Sequence, residues 1–433
     1  MTTSLRSLYT TGLAICLPLL GAACGPQAEA RTEAPTDAPP SLRIALAPHA
    51  GSTSLDQQLR TAQAEATAHP DAPRLERLAT LFITKARTSG DPGFYAQATA
   101  CSDAMPTTGN GRHAAMLVRG HVRHALHDFP TAERIARELV AERGLFLDNG
   151  LLGDVLLDQG RLTEARDVYQ RMLDQKPCLQ SYSRAAQVRW LIGDVPGCRE
   201  LLDLAASAGS RRDPESLAWV LARRAGLELQ ANDADAAARF ADEALAVVPD
   251  YPAALAARGR AAMAKGAAAV AVESLAAAAA RSPLPEHLWA HADALRAAGR
   301  EAEAAAVEAE LLRTGEREDP RTFAVWLATS GRDVARCLRL AKAEVALRRD
   351  AHTLDALAAA QWRTGDVEAA AATMQQALVV GVQDARLHLH AACISDARGD
   401  RVTTATHVAA AQARLAALLP SEQRQLAAIG RRQ

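Results

Sequence analysis

Aromatic residues are scarce in this chain: they make up 4% of 433 positions, although 49% of the positions are apolar. The surplus is alanine, whose high helix propensity and small side chain suit short helices packed backbone against backbone. Long β-branched runs bounded by turn residues are equally scarce, so little is available from which to build a sheet. No sign of charge dominates, since 49 basic residues face 50 acidic ones for a net charge of -1. Arginines gather only in pairs such as Arg211-Arg212, Arg223-Arg224 and Arg348-Arg349. Double-stranded nucleic acid requires a concentrated basic face, so no nucleic-acid partner is expected. Of seven cysteines, Cys16 and Cys24 lie in the N-terminal segment. Cys101, Cys178, Cys198, Cys337 and Cys393 form an odd set without CxxC spacing and read as buried single thiols. G-x-S-x-G, Walker, H-E-x-x-H and Cys-His constellations are missing, so the expectation is a non-enzyme with no cofactor.

The first 23 residues hold one positive side chain, Arg6, an apolar stretch from Leu13 to Leu20, and then small residues. This is the pattern of an export signal, and its apolar part is shorter than the ~20 residues needed to span a bilayer. Leu20-Gly21-Ala22-Ala23-Cys24 resembles a bacterial lipobox, with Gly21 where that motif usually has Leu. The resemblance implies lipidation at Cys24, and Gly25 after it resembles lipoproteins sent to the outer membrane. A rival cut after Ala28-Glu29-Ala30 would give a soluble periplasmic or secreted chain instead. Residues 24–59 are rich in Ala, Pro, Thr and Ser, a composition expected to form a flexible tether.

Breaks then recur at His127-Asp128, Gly160-Arg161, Gly193-Asp194, Asn232-Asp233, Gly266, Gly299-Arg300, Gly331-Arg332, Gly365-Asp366 and Gly399-Asp400. Their spacings are 33, 33, 39, 34, 33, 32, 34 and 34 residues. Gly and Asn there suit a left-handed helix C-cap. Small residues keep fixed offsets from the breaks: Gly259, Ala271 and Ala278 around Gly266, then Ala225, Ala237 and Ala244 around Asn232. Ala358, Ala370 and Ala377 do the same around Gly365, and Gly153 and Ala165 around Gly160, where Met172 replaces the third. Pro177, Pro249 and Pro283 close their repeats.

With this period and these offsets the chain resembles the tetratricopeptide-repeat family, and more narrowly its exported bacterial lipoproteins. The resemblance implies an all-α, right-handed superhelical solenoid of antiparallel helix pairs, with about nine to ten repeats. Residues 112–419 would form the array, 60–111 an irregular N-terminal helical cap around Arg87–Ala96, and 420–433 a capping helix begun by Ser421. Arg336 and Thr404 stand where small residues belong and are expected to distort the last repeats. Gly209–Pro214 reads as a longer loop within the 39-residue interval.

Such arrays bind polypeptides along a concave groove lined by the first helix of each pair. Carried over position by position, that register puts Asp154, Asp158, Gln187, Trp190, Trp219, Trp289, Asp293, Asp355, Trp362 and His390 in the groove, with Trp326 in the core. Tryptophans beside carboxylates suit a ligand with apolar and basic side chains. The implied function is an envelope-anchored scaffold for a polypeptide partner. A structural assembly factor working through its convex edges is a second reading. A third is a metal or small-ligand protein using His121, His124 and His127, whose spacing can place imidazoles one helical turn apart.

Overall fold

A computed structural model describes residues 38–431. Among them there are 23 α-helices and no strand. Four helices come first: α1 (Pro40–Ala45), α2 (Ser54–Ala68), α3 (Ala72–Ser89) and α4 (Gly93–Asp103). Nine antiparallel pairs follow, beginning with α5 (Gly109–Ala125) and α6 (Phe129–Glu142), then α7 (Phe146–Asp158) and α8 (Leu162–Gln175). The next pairs are α9 (Leu179–Leu191) with α10 (Val195–Ser207), α11 (Pro214–Gln230) with α12 (Ala234–Val247), and α13 (Pro252–Ala264) with α14 (Ala268–Arg281). Then come α15 (Pro285–Ala297) with α16 (Glu301–Glu318), α17 (Pro320–Ser330) with α18 (Val334–Leu347), α19 (Ala351–Arg363) with α20 (Val367–Leu378), and α21 (Ala385–Ala397) with α22 (Arg401–Gln412). A 3-10 turn, Leu415–Ala417, leads to the last helix, α23 (Pro420–Gly430). None of the described helices is long and apolar enough to cross a membrane.

Each of the nine breaks is a left-handed residue, with φ between 58° at His127 and 86° at Gly365. At six of them an Asp starts the second helix as its N-cap. Asp128, Asp194, Asp233, Asp333, Asp366 and Asp400 each accept a hydrogen bond from a first-turn backbone N–H. One residue reverses the chain and the cap satisfies the first orphaned donors of the next helix.

The offset residues pack as the period requires: Ala165, Ala225, Ala237, Ala244, Ala271, Ala278, Ala358, Ala370 and Ala377 are fully buried. A Cβ on Gly259 would stand 2.5 Å from Leu275 Cγ. Gly259→Leu should lower stability by about 1–3 kcal/mol through overpacking. Gly226, with no heavy atom within 4 Å of a Cβ, should tolerate Ala without loss. Chemical unfolding of both variants checks the register, and equal midpoints would refute it.

Several expectations change. Residues 40–59 are not a tether, and 24–37 lie outside the described residues: Ala45 and Leu46 are buried with Leu59, Phe82 and Tyr95, and α2 begins at Ser54 on a Thr53–Asp56 capping box. Average composition over that stretch hid the apolar Leu42 and Leu46, one helical turn apart. The segment Arg87–Ala96 is no irregular cap but the turn of a helix pair, closed by left-handed Gly90 between α3 and α4. In the 39-residue interval the loop at Gly209–Pro214 is present, but α11 also lengthens to 17 residues where α13 has 13. Arg336 does not enter the helix interface, because left-handed Asp333 delays α18 and Cys337 takes the small buried place. Thr404 does fill its place, its hydroxyl bonded to Ser395 and to the Asp400 carbonyl. Cys101, Cys198, Cys337 and Cys393 are buried, and Cys178 is half-buried. Burial pushes the Cys198 and Cys337 thiols up to about 11 and 12.

Candidate functional site

The first helix of each pair, from α7 to α21, carries the groove residues expected from the sequence. Their surroundings differ from an open groove. Every residue of α7 from Asp148 to Asp158 is buried, and so is every residue of α21 from Leu387 to Ser395. A surface helix keeps a polar face in water; these two keep none over those spans.

The enclosure arises because the chain folds back on itself. A Cβ on Gly160, after α7, would lie 2.5 Å from the Arg349 carbonyl oxygen, just before α19. Gly193, after α9, abuts the Gly381 carbonyl in the same way. Gln230 donates to Asp384 at 2.7 Å and accepts from the Ala385 N–H, joining the end of α11 to the start of α21. Asn232 accepts from the Ala416 N–H at 2.9 Å, and Arg260 donates to the Ala417 carbonyl at 2.6 Å. The N-terminal helices join in through an Arg87–Glu215 ion pair at 2.6 Å, to which Tyr251 adds a hydrogen bond.

Inside this closed array the predicted acids are partnered rather than free. Asp154 is 3% exposed; it accepts two hydrogen bonds from Arg184, itself 1% exposed, and one from Tyr169. Burial works against the Arg184 charge, and Asp154 more than restores it, holding the guanidinium above its ordinary range. Burial and the neighbouring Asp154 keep the Tyr169 phenol well above its usual value, so it stays a donor. Asp158 stands 2.9 Å from His124 Nε2. Burial opposes a charge on His124, while the bond to Asp158 wins and raises it. Asp355 holds His390 Nδ1 at 2.8 Å. These three pairs span 30, 34 and 35 residues, about one repeat each.

Trp190 and Trp289 are core residues, correcting their reading as exposed anchors. Trp219 and Trp362 stay half-buried, with the guanidinium groups of Arg223 and Arg363 over their rings at 5.9 and 4.1 Å. Gln187 is half-buried and accepts from Arg223. Trp326 is core as expected and stacks on Phe323. The three histidines of the metal reading are not brought together as ligands. His124 is taken by Asp158, His127 stacks on Phe129, and no described group of three or more His, Cys, Asp or Glu is placed to hold a metal.

Asp293 is the exception among the acids, because its partner belongs to α23. Ser421 donates to Asp293 through its backbone N–H at 2.9 Å and its hydroxyl at 2.5 Å, and accepts from the Trp289 indole N–H at 3.0 Å. Ser421 is therefore not the N-cap of α23, as its position after Pro420 had suggested. Leu419 occupies that place, and Glu422 accepts from its N–H. Arg386, lying over the Trp289 ring, pairs with Glu422. The last helix is thus seated on first helices α15 and α21, with Leu419 joining the α15–α17 core.

A second histidine site has a pH consequence. His388 Nδ1 lies 3.1 Å from His407 Nδ1, with Asp384 and Arg414 also facing it. Burial, then His407 and Arg414, push His388 down to about 4, against Asp384. Burial also lowers His121 and His127. A folded-state value below the unfolded one means the unfolded chain binds protons first, so this stability is present above about pH 6.5 and lost toward pH 4. His124, raised, and Asp213, pushed up to about 6, have the opposite sign and soften the slope. The expected loss through His388 alone is about 2 kcal/mol by pH 5. His388→Gln should flatten the melting temperature between pH 6.5 and 5; an unchanged slope would rule the pair out as its cause.

No model of a known protein family and no curated protein matches the sequence. Among solved structures, a tetratricopeptide repeat protein from Parabacteroides merdae is 14% identical; the match covers 65% of this chain and 98% of that one, with a TM-score of 0.38. A Rap protein complexed with competence and sporulation factor is 11% identical over 83% of this chain and 99% of its own, with a TM-score of 0.46. MamA is 16% identical over 37% and 93%, with a TM-score of 0.31. The nine helix pairs, the left-handed residue closing each first helix and the buried small residues at fixed offsets give this chain an all-α solenoid fold similar to that of tetratricopeptide-repeat proteins.

Proposed function

We propose that this chain is a non-catalytic, envelope-anchored scaffold that binds a polypeptide on its first helices. The observation that carries the reading is α23. This polypeptide segment is held there through its first-turn backbone N–H, its serine and its glutamate. A face that binds one helix through backbone and side-chain groups together has the chemistry to bind another. The enclosure of α7 and of Leu387–Ser395 favours the second reading, an assembly factor engaging partners through its outer helices.

A photo-crosslinking residue at 219 or 362, on the first helices, should capture a polypeptide from intact envelopes. Capture only from an outer site such as 402, on α22, would decide for the second reading.

Anchoring rests on Cys24, which lies outside the described residues. Cys24→Ala should move the protein from the membrane to the soluble fraction. A wild-type mature chain beginning at Arg31 would remove the anchor from the proposal.

A further inference from the structure

We infer that the C-terminal segment from Leu415 to Gly430 is a built-in, displaceable occupant of the polypeptide-binding face, and that the partner is a helix beginning with the same chemistry. This deepens the scaffold reading and rests on it.

The seat is specific. Asp293 binds the first-turn N–H of α23 from another helix, as an N-cap side chain would from its own chain. A carboxylate at the positive end of a helix is electrostatically favoured there. Trp289 donates to the same serine, and Arg386, which lies over Trp289, takes the glutamate that follows. Leu426 and Ile429 are buried behind them. The matching partner is a helix with Pro-Ser-Glu in its first turn and apolar residues four and seven positions after the glutamate.

The seat is also releasable. An 11-residue helix is too short to persist alone in water, so its folding depends on docking. Asp293 is almost fully buried, yet its nearest cations, Arg296 and Arg424, both stand 4.0 Å away. Burial therefore raises its carboxyl above the usual range, with Ser421 only partly offsetting this. The contact is precise in geometry and incompletely compensated in charge, which suits exchange.

The test uses the full chain and a fluorescent synthetic peptide of residues 414–433. The wild type should bind the peptide weakly, because α23 already fills the seat. Ser421→Lys with Leu426→Lys should undock α23 and tighten peptide binding at least tenfold. Asp293→Lys added to that variant should abolish the gain. An undocked variant that keeps its helical signal but binds no peptide overturns the inference. Should that variant fail to fold, hydrogen exchange on the wild type decides. Amides of Gln423–Ile429 should exchange at least a hundredfold faster than those of α21, and equal rates overturn the inference. Self-association of the wild type by tail exchange between copies would overturn the heterologous partner. In each case envelope capture from residues 219 or 362 still tests the scaffold reading separately.

Discussion

Arg184→Ala should destabilise the array by about 3–5 kcal/mol, because it strands the buried Asp154 carboxylate without the guanidinium that pairs with it. Both side chains are nearly inaccessible, and three hydrogen bonds converge on the carboxylate. Solvent cannot screen or rehydrate the remaining charge, so the loss exceeds that of an exposed pair. Arg166 and Asp167 are more than half exposed, and Asp167→Ala should change stability by no more than ~1 kcal/mol. The double variant Asp154→Ala with Arg184→Ala should cost less than the two single losses combined, since it removes the stranded charge as well as the pair. Chemical unfolding of the four proteins measures the coupling. Additive losses would mean that the pair is hydrated and that the face near α7 is open after all. Because stability in a repeat array sums local and neighbour terms, the loss should appear first as opening of α7–α10.

That result bears on what was legible in the sequence. The period, the left-handed breaks and the small residues were readable because each is a local requirement repeated nine times. The first-helix positions of Asp154, Asp158, Asp293 and Asp355 were readable for the same reason. Their burial was not, since a register says which way a side chain points and not what covers it. A signal existed for three of the acids: Arg184, His124 and His390 stand about one repeat away on the neighbouring first helix. Partners at that separation face each other in any solenoid of this period. No such rule reaches Ser421, which lies 128 residues from Asp293. Contacts between distant turns, such as Gly160 against Arg349, depend on how far each pair rotates from the last, and no short motif encodes that rotation.

Trp289→Ala should cost about 3–5 kcal/mol, the range for emptying a large aromatic site in a packed core. The indole is 1% exposed, within the cluster that joins α15 to α17 and to Leu419. Its removal also takes away the ring beneath the Arg386 guanidinium and the donor to Ser421, so α23 should be released together with the lost packing. Trp289→Phe separates the two contributions. Phenylalanine keeps most of the apolar contact and an aromatic face for Arg386, but it has no N–H. It should therefore lose much less global stability than Ala while still loosening α23, because the Ser421 hydroxyl then loses its donor. Hydrogen exchange resolved by segment distinguishes these outcomes. In the Phe variant, faster exchange should be confined to Gln423–Ile429. If exchange quickened equally through α15 and α17, the indole would be serving the core alone, and α23 would be held by Asp293 and Arg386 without it.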